Sequence, residues 1–84
     1  MEEKVNFQEL KEEILIVLRL FFPHDTIIIK EGNQGRAFIK IISPIFNKMT
    51  MNQEQDFIWD VLKEKMGEKA EDIMFIITYG TNEI

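Results

Sequence analysis

The one histidine of the sequence adjoins an acid in the dipeptide His24-Asp25, which follows Pro23. As a functional pair they would act as general acid and base, or the histidine would serve as a lone metal ligand. Neighbouring residues in a turn seldom aim their side chains at one point, so we interpret them as polar residues at a helix-to-strand corner. An enzyme built on this chain would have to use His24 with Asp25 or Glu31.

Other residues that carry chemistry are few and dispersed. The chain has no cysteine and one histidine, which excludes a nucleophilic cysteine and a thiolate metal site. Ser43 precedes a proline without a suitable general base nearby in sequence, and we interpret it as structural. The acidic pair Glu71-Asp72 could bind a cation or a basic partner, although such a pair more often marks the solvated start of a strand. We therefore predict a protein that is not an enzyme, with no metal and no cofactor.

Length and net charge restrict the class of protein further. A chain of 84 residues suffices for one domain, so we expect residues 1–84 to form a single unit. The net charge of −5 disfavours strong generic attraction to nucleic acid or to an anionic membrane. From the acidic pattern of the first residues we expect no signal peptide, and the longest apolar stretch, Ile14 to Phe22, is too short to span a bilayer. We expect a soluble, cytoplasmic protein.

Positive charge is concentrated in the middle of the chain. Residues 26–50 contain four basic residues and a single acid, Glu31, whereas the segments on either side are acidic. The basic residues are Lys30, Arg36, Lys40 and Lys48. Such a strip is most often a normally solvated surface, but it is also the part of the chain that a nucleic acid would contact.

Two amphipathic helices are predicted from capping residues and periodicity. Asn6 is the expected N-cap of the first helix, which Pro23 ends. Thr50 and Gln53 form a capping-box pattern for the second helix, and Gly67 stands where a glycine would close it. The expected apolar faces are Leu10, Ile14, Val17, Leu18 and Phe21 in the first helix and Phe57, Ile58, Val61, Leu62 and Met66 in the second.

Three short segments rich in β-branched residues predict strands at 26–30, 37–42 and 73–79. Gly32 and Gly35 permit a tight reversal, so the first two strands should form a hairpin. A short extra helical turn is expected near residues 44–46. The order α-β-β-α-β predicts an α+β, two-layer sandwich in which both helices cover one side of a three-stranded sheet.

Each predicted strand is apolar on both of its alternating faces. Because the helices cover only one side of the sheet, the other side should expose an apolar patch, which usually marks a surface for a partner or for self-association. We therefore expect either a protein partner or a homodimer through this exposed sheet face. The alternative is that the C-terminal tail or additional loop packing covers it.

Several motifs after residue 31 are similar to those of the BolA-like family. Ile41-Ile42-Ser43, followed by Phe46-Asn47-Lys48-Met49-Thr50, resembles the family's second strand, which runs into a serine and then Phe-x-Gly-(Met/Lys)-Ser. Phe57-Ile58-Trp59 resembles its second helix, and Ile77-Thr78-Tyr79 with the following Gly80 to Glu83 resembles its closing strand, which ends in Lys-Thr-Tyr-Thr-Pro-Glu. The resemblance implies a class II KH-like fold and an adaptor or regulatory role.

The chain departs from this family at its histidines. Glu54-Gln55 stand where family members carry Arg-His or Gln-His, and Asp72 stands where a histidine resembles an iron–sulfur ligand shared with monothiol glutaredoxins. Arg36 falls on or near the histidine or cysteine of the hairpin. Arginine is no ligand, and aspartate is a poor ligand for a soft cluster. What the resemblance implies is therefore the scaffold and a protein partner, without the cluster.

Two functional hypotheses follow. The first is a non-enzymatic interaction or regulatory domain that binds a protein without a cofactor. Its candidate contact residues are Arg36, Phe46, Lys48, Asp72 and Tyr79, which we expect to be exposed. The alternative is a KH-like module for single-stranded nucleic acid, which the net charge and the acidic second helix oppose. Its candidate contact residues are Arg36, Lys40 and Lys48.

Overall fold

The computed structural model describes residues 5–83, and its elements follow the order α-β-β-α-β that the sequence predicts. Helix α1 spans Phe7–Phe21 and helix α2 spans Met51–Met66. The strands are β1 (Thr26–Glu31), β2 (Ala37–Ile42) and β3 (Ile73–Tyr79). Short 3-10 turns connect these elements, and one of them, Pro44–Lys48, is the extra turn expected after β2.

Both helices begin at the predicted capping residues. The Asn6 side chain accepts a hydrogen bond from the Glu9 amide (3.2 Å), which satisfies one of the N–H groups that a first turn leaves unpaired. At α2 the capping box is complete, because the Thr50 hydroxyl accepts from the Gln53 amide and the Gln53 side chain accepts from the Thr50 amide. Gly67 follows α2 with φ at 60°, a backbone conformation that favours glycine.

The end of α1 differs from the prediction by one residue. Phe21, expected on the buried stripe, is exposed and contacts the Phe57 ring edge-on at a centroid distance of 6.1 Å. The helix ends at Phe21 because Pro23 follows closely, and Phe22 leaves the helical conformation (φ −132°, ψ 69°). The Phe22 ring therefore turns into the core, where its centroid lies 5.6 Å from that of Phe46.

The three strands form one mixed sheet in the order β1-β2-β3. Strands β1 and β2 form the predicted antiparallel hairpin, with Thr26 opposite Ile42. Strands β2 and β3 are parallel, with Ile42 opposite Tyr79, so helix α2 is the crossover between them. Strand β2 therefore lies at the centre, and β1 and β3 are the edges.

A bulge near the start of β3 sets which of its side chains face outward. Ala37 lies opposite Ile73 and Phe38 lies opposite Phe75, so Met74 is the extra residue on β3. Beyond the bulge, Phe75, Ile77 and Tyr79 face away from the helices, whereas Ile76 and Thr78 are buried.

The core lies between the sheet and the two helices. Buried side chains of α1, α2 and the inner face of the sheet form one cluster, which confirms the two-layer α+β sandwich with both helices on one side. The strand residues in it are Ile29, Ala37, Ile39, Ile41, Ile73 and Ile76. Within residues 5–83 neither helix combines the length and the apolar character that crossing a bilayer requires.

Candidate binding surface

The side of the sheet opposite the helices carries nine outward-facing side chains in three rows across the strands. The pairing of β1 with β2 and of β2 with β3 gives the rows directly. They are Thr26, Ile42 and Tyr79 in the first, Ile28, Lys40 and Ile77 in the second, and Lys30, Phe38 and Phe75 in the third. We call these nine residues the open face. Its exposed aliphatic and aromatic side chains confirm that the strands are apolar on both sides.

The second and third rows surround a shallow depression of about 210 Å³. Two of the rings that line it, Phe38 and Phe75, contact each other, with centroids 6.5 Å apart and planes inclined by 58°. A Cβ atom at Gly32 would overlap the Phe38 ring, so the glycine in the β1–β2 turn is what allows this ring to lie where it does. Phe75 remains 52% exposed, which makes it the most exposed aromatic side chain of the open face.

The charge of the open face is positive. Lys30 and Lys40 are its only charged members, and no residue of the three rows is acidic. The Lys40 ammonium lies 5.4 Å from the centroid of the Tyr79 ring, a cation–π contact that holds both side chains over the sheet. The open face therefore presents a mixed apolar and basic surface in a chain whose net charge is −5.

A second groove, of about 370 Å³, runs between α2 and the free edge of β3. Met51, Gln55 and Trp59 line it from the helix, and β3 lines it from Met74 to Tyr79. The Gln55 amide donates to the Ile76 carbonyl (3.0 Å), and the Trp59 indole N–H donates to the Gln55 Oε1 (3.2 Å). A side chain of α2 thus occupies a main-chain acceptor that no neighbouring strand uses.

The corner between α1 and β1 is a structural element, in agreement with the interpretation of His24-Asp25. The Ser43 hydroxyl donates to the Asp25 carboxylate (2.8 Å) and accepts from the Ile45 amide (3.3 Å), so it joins the α1–β1 corner to the turn after β2. Arg19 donates to the Asp25 main-chain carbonyl (2.7 Å). His24 is exposed and makes no hydrogen bond within the described residues.

The structure places four of the predicted contact residues at opposite ends of the sheet. Arg36 immediately precedes β2 and Asp72 immediately precedes β3, and these parallel strands begin side by side. Tyr79 ends β3, and Lys48 lies in the turn after β2, at the other end. Of these four only Tyr79 belongs to the open face, and of the predicted nucleic-acid contacts only Lys40 does. The sheet therefore does not bring either set together.

Phe46 was expected to be exposed, and this prediction is wrong. Its side chain is 1% exposed and packs against Phe22 in the core. The reason is the 3-10 turn Pro44–Lys48, which directs Phe46 inward while Ile45 stays exposed. Phe46 therefore holds this turn against the core and cannot contact a partner.

Asp72 is half-buried in a hollow between α1 and the turn before β3. Lys69 occupies this hollow and forms an ion pair with Glu13 (2.6 Å). The hydrogen bond from Lys69 to Glu13 and the negative charge of that carboxylate raise the pKa of Lys69, and Glu9 and Asp72 add to the effect. In this hollow Glu13 thus pairs with an amine of the chain itself. Within residues 5–83 no group of three or more histidine, aspartate or glutamate side chains could hold a metal ion.

Two buried polar groups are features that the sequence analysis missed. Glu54 is 3% exposed and its Oε1 has no hydrogen-bond partner, and Thr78 is 1% exposed with an unpartnered hydroxyl. Glu54 lies in the first turn of α2, where a negative charge interacts favourably with the helix dipole. Each is buried because it lies on the side of its helix or strand that faces the core. A polar residue type does not indicate this in the sequence, so neither burial could be predicted.

No family model, curated protein or solved structure matches the chain. The resemblance to BolA-like proteins therefore stays a prediction.

Proposed function

We propose that the open face binds a protein whose surface combines apolar and acidic side chains, and that no cofactor takes part. One observation carries the proposal: five apolar residues, four of them outward-facing, and two lysines line a single depression, and no acid is among its lining residues. Burial of exposed aromatic and aliphatic side chains supplies affinity, and the lysines select for charge. An adaptor or regulatory role of this kind is also what the BolA-like resemblance implies.

A second copy of the same face would be a poorer occupant. Stacking two open faces would bring Lys30 and Lys40 of both copies together on surfaces that offer them no carboxylate. Juxtaposed like charges are costly in an interface from which water is excluded. The described acids of the two helices belong to the other layer of the molecule. Charge complementarity therefore favours a different protein with acidic groups.

A single-stranded nucleic acid, the alternative occupant, would stack its bases on exposed rings. The rings here are already engaged, because Phe38 contacts Phe75 and Lys40 lies over Tyr79. The open face has only two lysines, and the whole chain carries a net charge of −5, which opposes a polyanion. These observations favour the protein partner.

The proposal can be tested by NMR titration of the ¹⁵N-labelled chain with three probes. They are a peptide of alternating leucine and glutamate, a peptide of alternating leucine and lysine, and an oligothymidylate. We expect the leucine–glutamate peptide to shift amide signals of β2 and β3 and to bind at least about ten-fold more tightly than the leucine–lysine peptide, a difference of about 1.4 kcal/mol.

Two double variants with the same net charge serve as a matched pair. Lys30→Glu/Lys40→Glu changes the open face, and Lys11→Glu/Lys65→Glu changes only the helices. The first should reverse the preference, so that the leucine–lysine peptide binds more tightly, and the second should retain the preference for the acidic peptide. Equal binding of both peptides by the native chain would overturn the proposal. Tighter binding of oligothymidylate, weakening steeply with salt, would support the nucleic-acid alternative instead.

A further inference from the structure

The free edge of β3 is a template for another strand. The Tyr79 carbonyl accepts from the Ser43 amide (3.0 Å), so the main-chain groups of Tyr79 point toward β2. Because these groups alternate along a strand, Ile77 also points toward β2, whereas Ile76 and Thr78 point away from the sheet. The hydrogen bond from Gln55 to the Ile76 carbonyl agrees with this direction. Ile76 and Thr78 thus present their main-chain polar groups to the α2–β3 groove.

This edge is protected only in part, because Gln55 of α2 occupies its Ile76 carbonyl while the Thr78 main-chain groups remain without a strand partner. Natural edges are shielded by lysine, proline or a bulge, and the opposite edge, β1, carries Lys30 and Glu31. Strand β3 has no charged residue and no proline, and its bulge at Met74 leaves the stretch from Phe75 to Tyr79 regular. An edge left open in this way is expected to be covered by another chain.

We infer that the occupant is a second copy, whose β3 pairs antiparallel with this β3 about a two-fold axis at Ile77. In this register Ile76 of one copy exchanges two main-chain hydrogen bonds with Thr78 of the other, and the symmetric pair adds two more. The Ile76 carbonyl has two lone pairs, so it accepts from the second strand as well as from Gln55. On the open face, Ile77 meets Ile77 and Phe75 meets Tyr79 of the other copy. Every pair of side chains that meets on the open face is therefore aliphatic or aromatic, and no like charges are brought together.

The groove supports this pairing over other contacts. Met51 is 60% exposed and lies with Phe75 in the groove that the second strand would border, so pairing would cover both. The pairing would also give one six-stranded sheet, with both open faces on the same side. It does not rest on the proposed partner of the open face, because self-association is measured on the chain alone and the binding of peptides is measured separately.

The cysteine-free sequence permits a direct test by cross-linking. Opposite residues of a non-hydrogen-bonded antiparallel pair have Cα atoms about 4.5 Å apart, within the range that a disulfide bridges. Ile77→Cys should therefore oxidise rapidly to a disulfide-linked dimer. The matched control is Ile28→Cys, which lies in the same row of the open face but on β1, and it should remain largely monomeric under the same conditions.

Sedimentation of the native chain gives the second readout. At concentrations up to about 200 µM the mass should rise from 10.0 kDa toward twice that value, as a dimer of micromolar affinity would show. Ile77→Lys should weaken association at least ten-fold, and Ile28→Lys should leave it unchanged, with circular dichroism verifying that both fold. A monomer at the highest concentration, equal weakening by both lysine variants, or equal oxidation of both cysteine variants would overturn the inference.

Discussion

Replacement of Thr78 by valine should make the protein more stable. Thr78 is 1% exposed and its hydroxyl has no partner among the described residues. A buried hydroxyl without a hydrogen bond costs about 1–3 kcal/mol, and burying a methyl group in its place contributes about 0.8 kcal/mol. Valine keeps the shape and the β-branch that suit a strand. The free energy of unfolding should therefore rise by about 1–3 kcal/mol, and Tm by at least about 4 °C.

Thermal unfolding and urea titration would measure the effect of Thr78→Val. Thr26→Val is the matched control, because it makes the same chemical change on an exposed position of β1. We expect this control to alter the free energy of unfolding by no more than about 0.5 kcal/mol. A loss of stability in Thr78→Val would refute the reasoning, since it would mean that the buried hydroxyl is hydrogen-bonded in the folded protein.

Three further predictions concern other contacts that hold the elements in place. Phe46→Ala should cost about 3–5 kcal/mol in urea unfolding, because it empties the core beside Phe22, whereas an exposed contact residue would cost little. Gly80→Ala should cost about 1–3 kcal/mol by the same measurement, because its Cβ would overlap the Asn47 side chain and press on the main chain of that residue. The raised pKa of Lys69 means that its ion pair stabilises the fold below pH 10.5 and loses this contribution as pH rises through the higher folded-state pKa. Lys69→Met should therefore be less stable than the native chain at pH 8, and this difference should shrink above pH 10.5.

The predicted elements were correct where the determining signals were local. A capping box needs residues three positions apart, so Thr50 and Gln53 gave the start of α2 directly. The same holds for Gly67, whose positive φ ends that helix. Within each strand segment, both sets of alternate positions are apolar. For this reason the sequence alone predicted an apolar surface on the side of the sheet that the helices do not cover.

The candidate surface could be predicted only in part, because its rows depend on pairing between distant strands. Lys40 lies between Ile28 and Ile77 only because β2 is central and β3 is parallel to it. No local pattern determines that register. The burial of Phe46 was missed for a related reason. The 3-10 turn determines which of its residues points inward, and the neighbouring Ile45, which is exposed, is equally apolar.

Lys30 and Lys40 give the open face its proposed selectivity for acidic over basic partners. Reversing the charge of these two residues tests this selectivity most directly. Affinities for the leucine–glutamate and leucine–lysine peptides should be measured for the native chain and for Lys30→Glu/Lys40→Glu at one salt concentration. The native chain should prefer the acidic peptide, and the variant should prefer the basic one, with a combined change in the affinity ratio of at least about 100-fold, or 2.8 kcal/mol. An affinity ratio that is the same for both proteins would contradict the assignment of the open face as the binding surface.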